Sequence, residues 1–590
     1  MDSCPRIRSR IRSRIRIRIR VRSRVRSRVR SRRGRHLSRP FVALLCAALL
    51  LAAAGAAATA AGCGGSSGSA GAGDAGSASA GTPKMGGTIK IAFEGEPVTL
   101  DPAISWDVSG WTVEDSVFNA LYRYAPKPGA EGTVLIPDLA ADMPAISADG
   151  ATYTIKLRPD ARFAPPVDRA VTAADVKYSF ERMMAEPRCP ATYFYAGVEG
   201  AQALVDKKAK TISGVKVIDP LTIQFKLTSP DLSFLYALSM EFCDVIPREW
   251  VDKWGAKVSR HPLGTGPFYM TSWTPGREIK LLKNPNYWNA DEVYLDGVDF
   301  VFSVTPSTAL LRLQRGQVDI LGDNVPPADV NRVLSDPQWK PYVFEQPLIA
   351  TTYLFMNMTK TPFDDLKVRQ ALSWAVDRDK LVKLQSGQAV ALYQIYPQNL
   401  PGSEPGKVYY GYDPAKARAL LAEAGYPEGF KSMIYTSNVD PMPKLVQSIQ
   451  ADLKAVGVEA DIKTMNRATY YNFSSDAAKT QMGTSDWFLD FPDPVDWIVP
   501  FFTAANAVQG GLNTSYYVDP WVESATAEAQ KMTDPAARLA KYTEIQQHIM
   551  EQAPYVTLYS PKMTTMCSKN VGGFYLHPVL WFDPLMYWRK

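Results

Sequence analysis

The chain has 590 residues with 46% apolar and 21% charged side chains, proportions ordinary for a folded protein and enough length for two or three domains. The net charge of +7 does not describe the body of the protein, because 17 arginines and a single acid, Asp2, precede Cys63 and leave −9 for the remainder. An acidic body of this kind excludes nucleic acid as a default partner.

Residues 1–39 largely alternate arginine with Ser, Ile or Val, a period that stacks like charges and forms no core. The stretch reads either as a basic arm or as sequence upstream of the true start of an export signal. Residues 40–62 then read as a signal peptide. FVALLCAALLLAAAGAAATAAG at Phe41 to Gly62 follows arginines and closes on small residues, the layout of a secretory signal, with an uncleaved membrane anchor as the alternative. Cys63 follows Ala60-Ala61-Gly62 and resembles a bacterial lipobox, with alanine at Ala60 where leucine is usual. Lipidation of Cys63 would anchor the exported chain to the outer face of the cytoplasmic membrane, at the cell surface or in a periplasm. Residues 63–85, rich in Gly, Ser and Ala, read as a flexible tether.

In the body, Gly86 to Ala92 alternates like a strand, EPVTLDP follows as a loop, and Trp111 to Tyr124 reads as a helix. Strands are expected at Ile136 to Ala140 and Thr152 to Leu157, and a helix capped by Thr172 over DVKYSFERMM. Gly264, Gly266 and Pro267 make a turn into the strand Phe268 to Ser272. Asp364 to Lys383 and Tyr412 to Ala424 carry helical apolar faces, the second stopped by Gly425. A short strand is expected at Ser432 to Tyr435, then a helix from Pro443 to about Val456.

The most chemically pointed stretch is WFLDFPDP at Trp487 to Pro494. Asp490 and Asp493 stand there among Trp487, Phe488, Phe491, Trp497, Phe501 and Phe502, and a carboxylate buried among aromatics calls for a cation or several donors. The other reading is a solvated loop in which Asp493-Pro494 begins a turn. Three cysteines remain in the body, and export makes a Cys189–Cys243 disulfide the expected pairing, against three buried thiols. His261, His548 and His577 are not spaced as a metal pair, no CxxC occurs, and GxGxxG and GxSxG matches fall only in the tether, so no metal, cofactor or catalytic residue is assigned. Asp364-Asp365 with Asp490 and Asp493 could serve a hydrolase as acid and base, but helix capping suffices for the first pair.

The order of several blocks resembles the family 5 extracellular solute-binding proteins, the oligopeptide and dipeptide receptors of ABC importers. These blocks are GGTIKIAFEGEPVTLDP, IPDLAADM, DGATYTIKLRPDARF, HPLGTGPFYMTSW, NPNYW, PFDDLKVRQALSWAVDRDKLV, YDPAKARALLAEAGYPEGF and WFLDFPDP. The resemblance covers about Gly86 to Gly573. It implies an α/β, two-lobed, periplasmic-binding-protein-like fold with an extra subdomain in the first lobe. Lobe I is expected at residues 86–124, 222–346 and 555–590, the subdomain at 125–221 and lobe II at 347–554, with hinges near Gln346 and Pro554. It implies a monomeric receptor rather than an enzyme, which delivers a small ligand, by default a peptide, to an ABC permease with its ATPases. Nickel complexes, haem, sugars and opines are bound by other members. In relatives an aspartate of the block matching WFLDFPDP pairs with a peptide α-amino group. That role falls on Asp490, with Asp493 the alternative; Trp487 and Phe488 would line the pocket, Trp106, Asp107, Val108 and Ser109 would face them from the other lobe, and Tyr353 is a further candidate.

Overall fold

The structure is a computed structural model and describes residues 81–590. The arginine-rich extension, the export segment, Cys63 and most of the tether lie outside the described residues.

Among the described residues the strands form three larger sheets. In the first, Thr88–Ala92 runs parallel to both Gly297–Val301 and Ile320–Leu321, and Glu278–Lys283 and Phe268–Thr274 extend the sheet antiparallel. Strand alternation places Ile89 and Ile91 on the same buried core as Val298, Phe300, Ile279 and Leu281. The second sheet runs in the order Val343–Pro347, Tyr555–Met566, Ala350–Met356, Met482–Phe488, Phe430–Ser437, Val458–Met465, with Ala389–Ala391 beside Tyr555–Met566. Helices Leu366–Ala375 and Met442–Lys454 cover it through Val368, Leu372, Val446 and Ile449.

The third sheet is antiparallel, with Ala145–Ile146, Thr152–Lys156, Thr222–Lys226 and Val215–Asp219 in that order. The sequence reading assigned Thr222–Lys226 to lobe I. Its Ile223 and Phe225 instead sit opposite Ile155 and Tyr153, and all four are fully buried, so cross-strand packing holds this strand with the 145–219 segment. Helix Ala173–Ala185 lies against this sheet and begins at the expected cap Thr172, which forms a capping box with Asp175.

Tyr555–Met566 pairs with different strands along its length. Its first part pairs with Ala350–Met356 from Tyr555 to Tyr559, and its last part pairs with Val343–Pro347 from Lys562 to Met566. The backbone N–H of Leu348 donates to the carbonyl of Pro561 at 2.8 Å, between the two ladders. At Leu348 and Pro561, later than the expected Gln346 and Pro554, two chain segments therefore lie side by side.

Two helices differ from expectation. The first spans Val108–Val117, because Asp107 caps it and Phe118 is already extended. Asn119 then bonds Asp138 and Thr265 through its side chain, and Tyr122–Tyr124 pairs with Leu135–Pro137 instead of continuing the helix. The segment 364–383 is two helices, Leu366–Ala375 and Arg378–Leu384, with Asp377 capping the second. Arg378, 2% exposed, donates to the carbonyls of Leu392, Thr557, Ser373 and Val376. Satisfying that buried guanidinium fixes the break.

The expected Cys189–Cys243 disulfide is corrected: Cys189, Cys243 and Cys567 are buried free thiols. The Cys243 Sγ donates to the Tyr195 hydroxyl at 3.3 Å instead of meeting sulfur. Burial pushes the Cys189 thiol up to about 11 and the Cys567 thiol up to about 12, so neither supplies thiolate at neutral pH.

Candidate functional site

The WFLDFPDP stretch is where strand Met482–Phe488 ends and helix Val495–Phe502 begins. The strand carries Trp487 and Phe488 to its last two positions, and the proline-rich turn that follows leaves Asp490 beside a cavity of about 680 Å³. Trp487 and Phe488 line that cavity, and Trp487 packs edge-on against Phe501 with ring centroids 5.0 Å apart. Tyr353, buried on the neighbouring strand, lines the floor and stacks on Tyr555 at 4.2 Å.

From the side of the first sheet comes helix Val108–Val117. Trp106, Asp107 and Val108 precede and open it, and Trp111, Thr112 and Asp115 follow on the cavity face. Asp107 accepts from the Gly110 N–H at 2.8 Å and the Ser109 hydroxyl at 2.7 Å, so its carboxylate already has a capping role. Ser239 to Glu241 and Val579 to Trp581 complete this wall. The Trp581 backbone sits at φ 64°, a left-handed conformation that costs on the order of 1 kcal/mol for a bulky residue.

Asp490 has no cation within ion-pair distance among the described residues. Its Oδ2 accepts from the Tyr193 hydroxyl at 3.3 Å, and its backbone N–H donates to Asp496 Oδ2 at 2.9 Å. Asp496, 3% exposed, also accepts from the Trp487 indole N–H at 3.3 Å. Burial pushes the Asp490 carboxyl up to about 7, with the Tyr193 hydrogen bond opposing it, and burial followed by the nearby Asp490 carboxylate raises Asp496 well above the ordinary range. This pair is short of positive charge and faces a space large enough for a small ligand.

Asp493 is elsewhere. It lies 2% exposed in a bidentate pair with Arg538, at 2.6 Å and 2.9 Å, and its Oδ1 accepts the Val495 N–H. With its charge already met inside the protein, and absent from the cavity wall, Asp493 is a structural residue that ties helix Pro535–Gln552 to the turn. Trp106, Asp107, Val108, Tyr353, Trp487, Phe488 and Asp490 share the one cavity, whereas Ser109 does not line it and spends its hydroxyl on Asp107.

Sequence reasoning missed Tyr193, Asp115, Glu241 and Trp581. Asp115 had a signal, because it stands four residues after Trp111 and seven after Val108 on one helix face. Tyr193 and Glu241 come from segments remote in sequence and gave none. Burial raises both carboxyls, Glu241 to about 7, and at Asp115 the nearby Glu241 carboxylate adds to the rise.

Comparison with known proteins agrees with this architecture. The chain is 27% identical over 496 residues to the glutathione-binding protein GsiB of Shigella dysenteriae serotype 1, covering 83% of this chain and 92% of the relative. It is 28% identical over 496 residues to GsiB of Salmonella typhimurium, with the same coverage. Among solved structures, HbpA2 from Haemophilus parasuis superimposes with a TM-score of 0.75 at 26% identity, covering 85% of this chain and 100% of that one. DppA from Helicobacter pylori in complex with the peptide STSA gives 0.66 at 26% identity, with 86% and 98% covered. The family described as bacterial extracellular solute-binding proteins, family 5 Middle, matches residues 134–509. A two-lobed α/β chain with a cation-poor carboxylate at its cavity and this match over more than half its length belongs to the family 5 extracellular solute-binding proteins.

Proposed function

We propose that this protein captures a small peptide by its α-ammonium group and presents it to an ABC importer from outside the cytoplasmic membrane. The observation that carries the reading is Asp490, a carboxylate with raised affinity for protons and no cationic partner among the described residues, set in an aromatic-walled cavity. An ammonium group brings the missing charge and three N–H donors, and a desolvated ion pair of this kind fixes one end of a ligand. Trp487, Phe488, Trp106 and Tyr353 then supply apolar surface that accepts varied side chains. Related proteins carry names such as glutathione-binding protein, and a solved relative holds the peptide STSA.

Binding proteins of this family hand peptides to the permease and ATPase subunits of ABC importers. For this chain, lipidation at Cys63 and the 63–85 tether would hold a monomeric receptor near such a permease, and the paired segments at Leu348 and Pro561 would serve as the hinge for closure. A ligand drives closure only by binding the closed state more tightly than the open one. The test is to purify the protein without exchange of its bound solute and identify the co-purifying small molecule by mass spectrometry, with small-angle scattering before and after its return. Recovery of an intact peptide with compaction on rebinding supports the proposal. A non-peptide solute, or a peptide recovered cleaved, overturns it.

A further inference from the structure

The cavity is lined by more carboxyl groups than one ammonium group meets. Asp107, Asp115, Glu241, Asp486 and Asp490 line it, against Arg467 alone among lysines and arginines. Asp107 is occupied as a helix cap, Asp486 feels the attraction of Arg467, and Asp490 is the proposed anchor. That leaves Asp115 and Glu241, where helix Val108–Val117 meets the turn Glu241–Cys243. Neither is ion-paired among the described residues, and Arg123 nearby is committed to Asp583 at 3.1 Å. Behind them Glu114 and Asp244 are buried, and burial raises both carboxyls well above the ordinary range.

A different kind of group points to the same place. Tyr124, 3% exposed, lines the cavity, and its hydroxyl, with the Ser239 side chain beside it, makes no hydrogen bond of good geometry among the described residues. It lies close enough to Glu241 and Asp496 to feel both carboxylates. Carboxyls that burial holds back from ionising and a poorly bonded buried hydroxyl each leave interaction unmet, and one cationic donor group from a ligand satisfies both. An ammonium or guanidinium group offers enough N–H donors to meet two carboxylates and a phenol oxygen together.

We propose that Asp115, Glu241 and Tyr124 form a second cation subsite, so that the ligand class is a peptide bearing a basic side chain in addition to its α-ammonium group. The inference rests on the peptide reading of Asp490 and narrows it. Norleucine copies the lysine stem without the charge, so tripeptides of alanine with lysine at position one, two or three can be matched with norleucine counterparts. Titration calorimetry of the full chain should find at least one lysine peptide bound roughly tenfold or more tightly than its counterpart. In Glu241→Gln and Asp115→Asn that ratio should fall to about one, by the same reasoning, while Asp490→Asn weakens both peptides. Equal affinities in the unsubstituted protein, or a preference that survives both subsite variants, overturn the subsite and leave the peptide reading standing. Binding of 1,5-diaminopentane with loss in Glu241→Gln, and no binding of any peptide, overturns the peptide reading instead and supports the cation subsite. No binding of any of these probes overturns both.

Discussion

Replacing Arg538 by Met tests the assignment of Asp493 to structure. Both Arg538–Asp493 hydrogen bonds run between side chains only 4% and 3% exposed. Removing the guanidinium leaves the Asp493 carboxylate in the core with a single backbone donor, Val495 N–H at 3.0 Å. Breaking one half of a buried pair of this geometry costs about 3 to 5 kcal/mol, because the remaining charge stays desolvated. The guanidinium also lies over the Tyr542 ring at 4.8 Å, a contact that the methionine side chain retains in part. Arg538→Met should therefore lower the urea midpoint, followed by tryptophan fluorescence, while Asp493→Leu with Arg538→Met recovers most of the loss. Because Asp493 does not line the cavity, the double variant should change peptide affinity far less than Asp490→Asn does. A loss under about 1 kcal/mol in the single variant would refute the buried-charge reasoning, and a double variant that abolishes binding while folded would return Asp493 to the site.

Asp490→Asn should weaken binding of the co-purifying peptide by roughly 3 to 5 kcal/mol in calorimetry, with no fall in the ligand-free melting temperature; an unaltered affinity would remove the anchor. Peptide affinity should also drop as the pH falls through about 7, since the Asp490 carboxyl must be ionised to hold an ammonium. Ligand-free stability runs the other way. Between the unfolded value of about 4 and the folded value of about 7 the native state binds the extra proton, so stability falls as pH rises through that window. Melting curves at pH 5 and pH 8 check the sign, and a flat or rising trend that Asp490→Asn leaves unchanged would contradict it. Finally, Cys189, Cys243 and Cys567 should resist thiol reagents until the protein is unfolded and appear unbridged in non-reducing peptide maps; a Cys189–Cys243 peptide would restore the disulfide.

What could be read from the sequence followed local rules. Thr172 announces a helix start, and alternation at Ile89 and Ile91 announces a half-buried strand. Asp490 stood out because aromatic neighbours make a carboxylate anomalous. Asp493 looked equally anomalous, and only the fold distinguishes them, since Arg538 lies 45 residues away in sequence. The break at Asp377 escaped for a related reason, because the carbonyls that hold Arg378 include Thr557, 179 residues away. The disulfide expectation came from compartment and proximity in sequence, whereas Cβ geometry decides pairing. Glu241 reaches the cavity, and Tyr193 reaches Asp490, only through tertiary packing, which no local pattern encodes.

The charge of the cavity bears directly on why a receptor of this shape would respond to its ligand. Asp490 belongs to the turn after Met482–Phe488, whereas Tyr193, its present hydrogen-bond partner, belongs to the segment between helix Ala173–Ala185 and the strand Val215–Asp219. Around that bond, Phe194 and Tyr236 pack on Phe491 with centroids 5.7 Å and 5.9 Å away, so apolar contact already favours bringing these segments together. Opposing it, approach of the walls desolvates Asp490 and Asp496 on one side and Asp115 and Glu241 on the other. Carboxyls raised in this way either take up a proton or repel one another as the walls approach, and both responses offset part of what the aromatic contacts contribute. Under the proposed function, a cationic ligand reverses the sign of that electrostatic contribution while leaving the aromatic one in place. The preference for the ligand-bound closed state then arises from the charges of the site itself, without any separate switch.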